Sequence, residues 1–511
     1  MIDEIRKNEI YSVCIEDMSD EGLGIGHING MTVFVKDTAV GDEAEVRIVK
    51  VKKNLCFGRL EKLTVPSKFR CEPVCPVARQ CGGCTLQHIT YEKEVEIKKD
   101  RVLGCLKRIG GIENPEQYLE EVHGMDDISE NSFMRYRNKM QFPVGLDKDG
   151  KTVTGFYAGR THSIIPVDDC IIGHAVNKYI TDGVCKWADD NNIQIYDEQS
   201  GKGLLRHILT RIGFKTGQLM VTLVINGSKL PFKDELIDTL NRSVAEYSKD
   251  VNSDIKLTSV AVNINKKNTN KIMGDKTVYI YGEQYIEDYI GDVKFRISAD
   301  SFYQVNPAQT KLLYDKALEY AALTGKEKVW DMYCGIGTIS LFLAKKAEKV
   351  FGVEIVPQAI EDAEKNAALN DIKNTRFFVG KAEDVVTELY EKSKMPGEED
   401  YRADVVVVDP PRKGCDEKLL ETIVKMAPEK LVYVSCNPAT LARDLKILLE
   451  HDFSLKKISI HDQFPRGMNI ETVILMSNRN IKPDGYIKLE VNTEELDAAK
   501  SGISDTSRED F

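Results

Sequence analysis

The sequence predicts a multidomain chain. An OB-like β-barrel comes first, then an α+β domain with a cysteine segment, then an α/β domain built on a Rossmann-like parallel sheet. Three observations carry this. Short, partly alternating β-rich runs separated by turn residues fill residues 1–64. Cys71, Cys75, Cys81 and Cys84 crowd into one short stretch. From about residue 305, apolar runs of strand length alternate with helix-compatible segments, the pattern of a parallel sheet wound by helices.

The 511 residues suffice for about three domains of ~100–200 residues each. We place them at 1–64, 65–295 and 296–480, with an acidic tail at 481–511. Hydrophobic residues make up 42% and charged residues 30%, which excludes disordered and collagen-like chains. No apolar run approaches the ~18 residues of a membrane span. The N-terminus lacks the apolar core of a secretory signal, so a cytoplasmic location is expected. The net charge of −11 weighs against nucleic acid, although local basic patches override a global sum. Cysteines crowded together in a reducing compartment call for metal or redox chemistry rather than disulfides.

Taken in order, YSVCIED, MTVFVKD, AEVRIVKVKK and GRLEKL read as barrel strands. A helix is expected over Tyr91–Arg108, with Lys98, Lys99, Arg101, Lys107 and Arg108 on it. From about 120 to 295 the chain is strand-rich and mostly antiparallel. Arg135, Tyr136, Arg137, Lys139, Arg206 and His207 supply cations and aromatic rings there. Such groups contact phosphates and stack bases, although scattered surface cations explain them as well. KVWDMY, KVFGVE, TRFFVG, ADVVVVD and KLVYVSC read as buried parallel strands, and LKKISIHD and ETVILMS complete the sheet. The tail has four Lys/Arg against eight Asp/Glu and reads as disordered.

Five motifs carry chemistry. In DMYCGIGT, Gly335 and Gly337 let a strand turn tightly into a helix and approach a ligand. Glu354 ends the next strand, where a ribose diol needs an acceptor, and Ile339 replaces a third glycine. That combination points to S-adenosylmethionine. Asp409 opens Asp-Pro-Pro-Arg at a strand end, where such sheets bind ligands. Cys436 in Ser-Cys-Asn-Pro ends another strand, beside a helix start that favours a thiolate. Glu471 precedes the last apolar strand and alone would pass for a surface carboxylate. Cys75, Cys81 and Cys84, with Gly82 and Gly83 between thiols, suit an iron–sulfur cluster completed by a remote cysteine. Cys170, in the turn VDDCIIG, is our choice over Cys105 and Cys185. Spacing leaves open a structural zinc site and a part for Cys71.

SADSFYQVNPAQT, DMYCGIGTISL, GVEIVPQAIEDA, VVVDPPRKG and VSCNPATLARD together resemble the RNA uracil-C5 methyltransferases, over essentially the whole chain. The resemblance implies a TRAM domain at 1–64 and a 4Fe–4S cluster on Cys75, Cys81, Cys84 and Cys170. It implies cofactor binding by Gln304, Tyr333, Glu354 and Asp409, with Asp409 bordering the uracil pocket. Cys436 matches the nucleophile and Glu471 the general base. Asn469 stands where many relatives carry His, and Cys71 lies outside the pattern. The expected partner is RNA, ribosomal in preference to transfer RNA, because the barrel and cysteine segment are commoner in the ribosomal type. The expected protein is a monomer with no membrane contact. One rival is an amino-methyltransferase, whose motif has an aromatic residue where Arg412 follows Pro411. The other is an iron–sulfur RNA-binding module without catalysis, which leaves Cys436, Glu471 and the glycine turn unexplained.

Overall fold

Alternation of buried and exposed residues builds the first sheet of the computed structural model, which describes residues 5–125, 133–159, 161 and 163–480. The acidic tail 481–511 lies outside the described residues. In Glu43–Val51, the residues Ala44, Val46 and Ile48 point inward, one in two. This strand pairs with Ile10–Cys14 on one side and Leu55–Val65 on the other. Met31–Val35 runs parallel to Leu55–Val65 and continues the sheet through Gly24–Ile28 to Asp17–Met18. At Gly26 an added Cβ would lie 2.3 Å from the Cys14 carbonyl oxygen, so glycine is what lets Gly24–Ile28 lie against Ile10–Cys14 as the sheet curls on itself.

A seven-stranded sheet follows, antiparallel except where Gln218–Ile225 runs beside Lys256–Ile264. The helix Lys233–Val251 makes that crossover. With Val176–Asp190 it covers one face of the sheet. The strands of this region are legible in the sequence and the two helices are not.

The largest sheet has eight strands. Lys328–Met332, Lys349–Glu354, Thr375–Val379, Val405–Val408 and Lys430–Ser435 are parallel. Glu471–Asn478 and then Phe453–His461 close the edge antiparallel. Numbered along the chain, these seven lie in the order 3-2-1-4-5-7-6. Alternate residues feed two apolar layers: Trp330, Val406 and Val408 on one side, Val329, Val405 and Val407 on the other. The eighth strand, Leu119–His123, comes from before the second sheet and pairs with Phe453–His461. The helix Tyr91–Arg108 also packs here, through Val102, Leu103 and Leu106. Among the described residues, no helix is long and apolar enough to cross a membrane.

Candidate active site

The order of the sheet reverses between its first and fourth strands, and the candidate residues gather at the carboxyl ends there. Ser435 pairs with Thr472, so Cys436 and Glu471, one residue further on each strand, stand side by side. Asp409 and Arg412 face the same space, because their charges act on both Cys436 and Glu471. The SCNPAT segment fixes this group. The Asn437 side chain caps the helix Pro438–Glu450 at the Ala439 amide (3.1 Å) and donates its own N–H to the Arg412 carbonyl (3.1 Å). Thr440 donates to the same carbonyl (3.2 Å).

Three acidic groups share the space with little to neutralise them. The Glu471 carboxyl is buried and has no hydrogen-bond or ion-pair partner among the described residues. Burial, then the charge of Asp409, holds it well above the usual carboxylate range. Burial and the neighbouring Asp331 push Asp409 up to about 7. Burial, Glu471 and Asp409 push the Cys436 thiol up to about 11, against the pull of Arg412. The helix start that the sequence reading credited with favouring a thiolate is therefore outweighed.

The glycine turn has the strain of a ligand loop. Tyr333, Gly335 and Gly337 all have positive φ, at 76°, 56° and 81°. A Cβ on Gly335 would meet nothing within 4 Å, which leaves the backbone open to a ligand. Asp331 accepts from the Ser340 hydroxyl through Oδ2, while its buried Oδ1 has no partner. An orphaned acceptor beside an open glycine turn fits a nucleoside carrying a cationic group. Glu354 receives the Val356 amide at 3.0 Å on one oxygen, which leaves the other for a ligand. Gln304 is buried, 3.4 Å from the Gln463 amide, and its carbonyl takes a bond from Asn138. Tyr333 turns toward Cys415 and Asp416. Arg412 and Tyr314 were not picked out as site residues by the sequence. Tyr314 lies fully buried beside Asp409, Asp331 and Glu471, on a helix whose pattern reads as ordinary core.

Cys75, Cys81, Cys84 and Cys170 line one cavity of about 330 Å³. The Gly83 amide donates to Cys81 Sγ at 3.3 Å, and the backbone amides of Cys84, beside Cys81, and of Ile172 and Gly173, beside Cys170, favour the thiolates. Burial raises the Cys81, Cys84 and Cys170 thiols, Cys84 up to about 12. Arg137 and Lys139 face the same cavity, and Arg137 Nε is buried without a partner. Amide donors and cations around four thiols suit an anionic group. Among the described residues no group of three or more His, Cys, Asp or Glu is arranged for a single metal ion. Cys71 is turned away, its Sγ donating to the Gln87 carbonyl. Cys105 lies in the core under the large sheet, and Cys185 does not line the cavity.

A cleft of about 830 Å³ separates the barrel from the cysteine segment. Stacked Phe34 and Phe57 line it with Lys36, Lys52 and Arg79. Two cations named in the sequence reading are no surface groups. Arg206 and His207 are 3% and 4% exposed, because their strand is buried along its whole length. Arg135 is taken up by Asp169 at 2.5–2.6 Å.

A 3-2-1-4-5-7-6 sheet with a glycine turn after its first strand and reactive groups over its fourth and fifth defines a Rossmann-like methyltransferase. Residues 203–479 match the family described as tRNA (Uracil-5-)-methyltransferase, and residues 6–60 match the TRAM domain. The chain belongs to the tRNA (uracil-5-)-methyltransferase family and is an RNA uracil-5-methyltransferase. It is 46% identical over 477 residues to an uncharacterized RNA methyltransferase of Bacillus cereus, spanning 93% of this chain and 98% of that protein. A Clostridium tetani protein of the same description is 46% identical over 473 residues, spanning 93% and 97%. Among solved structures, the Pyrococcus abyssi tRNA (uracil-54, C5)-methyltransferase in complex with S-adenosyl-L-homocysteine is similar, with a TM-score of 0.69 and 26% identity. That likeness covers 91% of this chain and all of the other.

Proposed function

We propose that this enzyme methylates C5 of a uridine in 23S ribosomal RNA through a covalent bond between Cys436 Sγ and uracil C6. The observation that carries the reading is the meeting of Cys436, Glu471, Asp409 and Arg412 at one sheet edge. Uracil C5 is a poor nucleophile until a group adds at C6, and a thiolate is suited to that addition. S-adenosylmethionine, held by Gln304, Tyr333, Glu354 and Asp409, supplies an electrophilic methyl group when bound. Cys436 adds to C6 and raises electron density at C5. After C5 is methylated, Glu471 takes the C5 proton, the S–C6 bond breaks and the thiolate returns. Arg412 favours the thiolate, and its place after Pro411 gives it a role that the amine-methylating motif lacks. The uridine is flipped from its stack to reach the site. The Phe34/Phe57 cleft with its cations holds flanking nucleotides.

Cys75, Cys81, Cys84 and Cys170 would hold a 4Fe–4S cluster with a structural role, since no step of the reaction needs an electron. The TRAM barrel joined to a cysteine segment favours ribosomal RNA. The name of the matched family and the tRNA substrate of the Pyrococcus enzyme favour transfer RNA as the second reading. Mapping 5-methyluridine in total RNA from cells with and without the gene decides between them. Loss of the mark from 23S RNA supports the first reading, loss from tRNA the second, and no change in either removes both.

A further inference from the structure

Nine residues, 462–470, join Phe453–His461 to the strand that begins with Glu471. Within this loop the backbone bonds are few: Gln463 N–H to the His461 carbonyl and a long one, 3.3 Å, from Gly467 to Phe464. Other parts of the chain hold it. Tyr91 and Lys98 donate to Asp462 at 2.6 and 2.7 Å, and Lys98 also reaches the Phe464 carbonyl. Tyr136 donates to the Pro465 carbonyl at 3.1 Å, and Arg101 to the Met468 carbonyl at 2.7 Å.

Arg466 is the centre of this attachment. Its amide donates to Glu94 at 2.7 Å, and its Nη1 to the Ile89 carbonyl at 3.2 Å. Its own carbonyl receives the amides of Thr85 (2.9 Å) and Leu86 (3.2 Å), the two residues after Cys84. Its guanidinium lies over Phe133 at 4.1 Å and Tyr91 at 5.4 Å. Glu94 and Lys98 are fully buried with it. Arg466 also sits at φ 69°, a left-handed conformation that is unfavourable for an L-residue and survives only when the surroundings fix it. Met468 then packs with Leu86 and Ile89 of the cysteine segment, Ile97 of the helix and Met18 and Ala39 of the barrel.

We propose that Arg466 is a positioning residue. It locks the loop 462–470 onto the segment after Cys84, so that Glu471 faces Cys436 only while that segment is folded. The inference rests on reading Glu471 as the base. A loose loop leaves Cys436 and the glycine turn in place and misplaces the group that removes the C5 proton.

The test compares Arg466→Gly, which suits the positive φ and removes the side chain, with Arg466→Lys and with the milder Arg101→Met. Amide exchange over 467–472 is expected to rise about tenfold or more in Arg466→Gly, while exchange over 331–338 stays unchanged. Elimination from the methylated protein–RNA adduct should slow about tenfold or more, with first-turnover methyl transfer and S-adenosylmethionine affinity within about twofold. Arg466→Lys should recover part of both effects, and Arg101→Met should show both more weakly. If Arg466→Gly does not fold, Arg101→Met decides. Unchanged exchange at 467–472 overturns the proposal, as does equal slowing of methyl transfer and elimination. Glu471→Gln runs alongside. If it traps no adduct, the base reading falls, while the exchange result still decides whether Arg466 fixes the start of that strand.

Discussion

Burial and two carboxyls make Cys436 a reluctant nucleophile, and that sets its pH behaviour. A thiol raised to about 11 gains thiolate about tenfold per pH unit over the neutral range. Glu471, also raised, must lose its proton before it can act as a base, so both requirements run in the same direction. The kcat/KM for RNA, which ends at methyl transfer and so reports Cys436, should climb with a log slope of about 1 from pH 7 to 9, and kcat, which includes elimination, should rise in the same direction. Arg412→Met removes a cation that favours the thiolate, so it should lower kcat/KM by a similar factor at pH 7 and at pH 9, because the thiol titrates above that window with and without it. A flat profile would remove Cys436 from the rate-limiting ionisation. Cys436→Ala should abolish methyl transfer in an assay with labelled methyl donor and leave donor binding nearly intact by calorimetry. Normal turnover by that variant ends the nucleophile assignment. Cys436 was legible because a cysteine at a strand end beside Asn-Pro is conspicuous. Arg466 was not, since its role comes from carbonyls and amides some 370 residues away along the chain.

At the scale of elements, the parallel strands declared themselves through dense β-branched runs such as VVVV at Val405–Val408, buried at every position. Leu119–His123 could not. Three of its five residues, LEEVH, are polar, and only pairing with the distant Phe453–His461 makes them a strand. The helix Val176–Asp190 did carry a signal, with Val176, Ile180, Val184 and Trp187 at helical spacing, but valine and isoleucine pull such a reading toward strands. The glycine turn allows a sharper test, because its two glycines serve different needs. An alanine at Gly335 meets nothing within 4 Å and pays only for φ 56°, roughly 1 kcal/mol. Its Cβ would project into the open side, so donor affinity should drop far more than stability. A valine at Gly337 pays for φ 81° and presses a Cβ to 3.2 Å from the Ala363 Cβ, so it should cost about 2–3 kcal/mol or more. Denaturant melts with calorimetric donor titrations separate the two. Equal stability costs would mean that the packing beneath Gly337 yields.

Across the whole molecule, the cysteine segment is where the three larger sheets are joined. Arg70 meets the buried Asp42 of the barrel at 2.6 Å, and His88 bonds the Thr38 carbonyl at 3.0 Å. Gly82 donates to the Tyr157 carbonyl of the second sheet, and Thr85 and Leu86 to Arg466 beside the third. Few of these bonds belong to a helix or strand, and the stretch 71–90 has no regular element of its own. A group bound by four thiolates would add a constraint that such a segment lacks, because ligand binding and folding would then be a single event. Protein purified without oxygen should accordingly be brown and hold about four irons per chain, as a 4Fe–4S centre on four cysteines requires. Cys84→Ser should lower the iron content sharply, and Cys71→Ser should not, since the Cys71 sulfur is bonded to the Gln87 carbonyl outside the cavity. Without the cluster, protease should cut between 66 and 90 first, and amide protection should fall at the barrel residues 37–42 before it falls in the parallel strands. Stoichiometric zinc with no iron would replace the cluster by a single ion. Unchanged protease sensitivity after iron loss would mean that the hydrogen bonds to Arg466, Tyr157 and Thr38 hold the junction unaided.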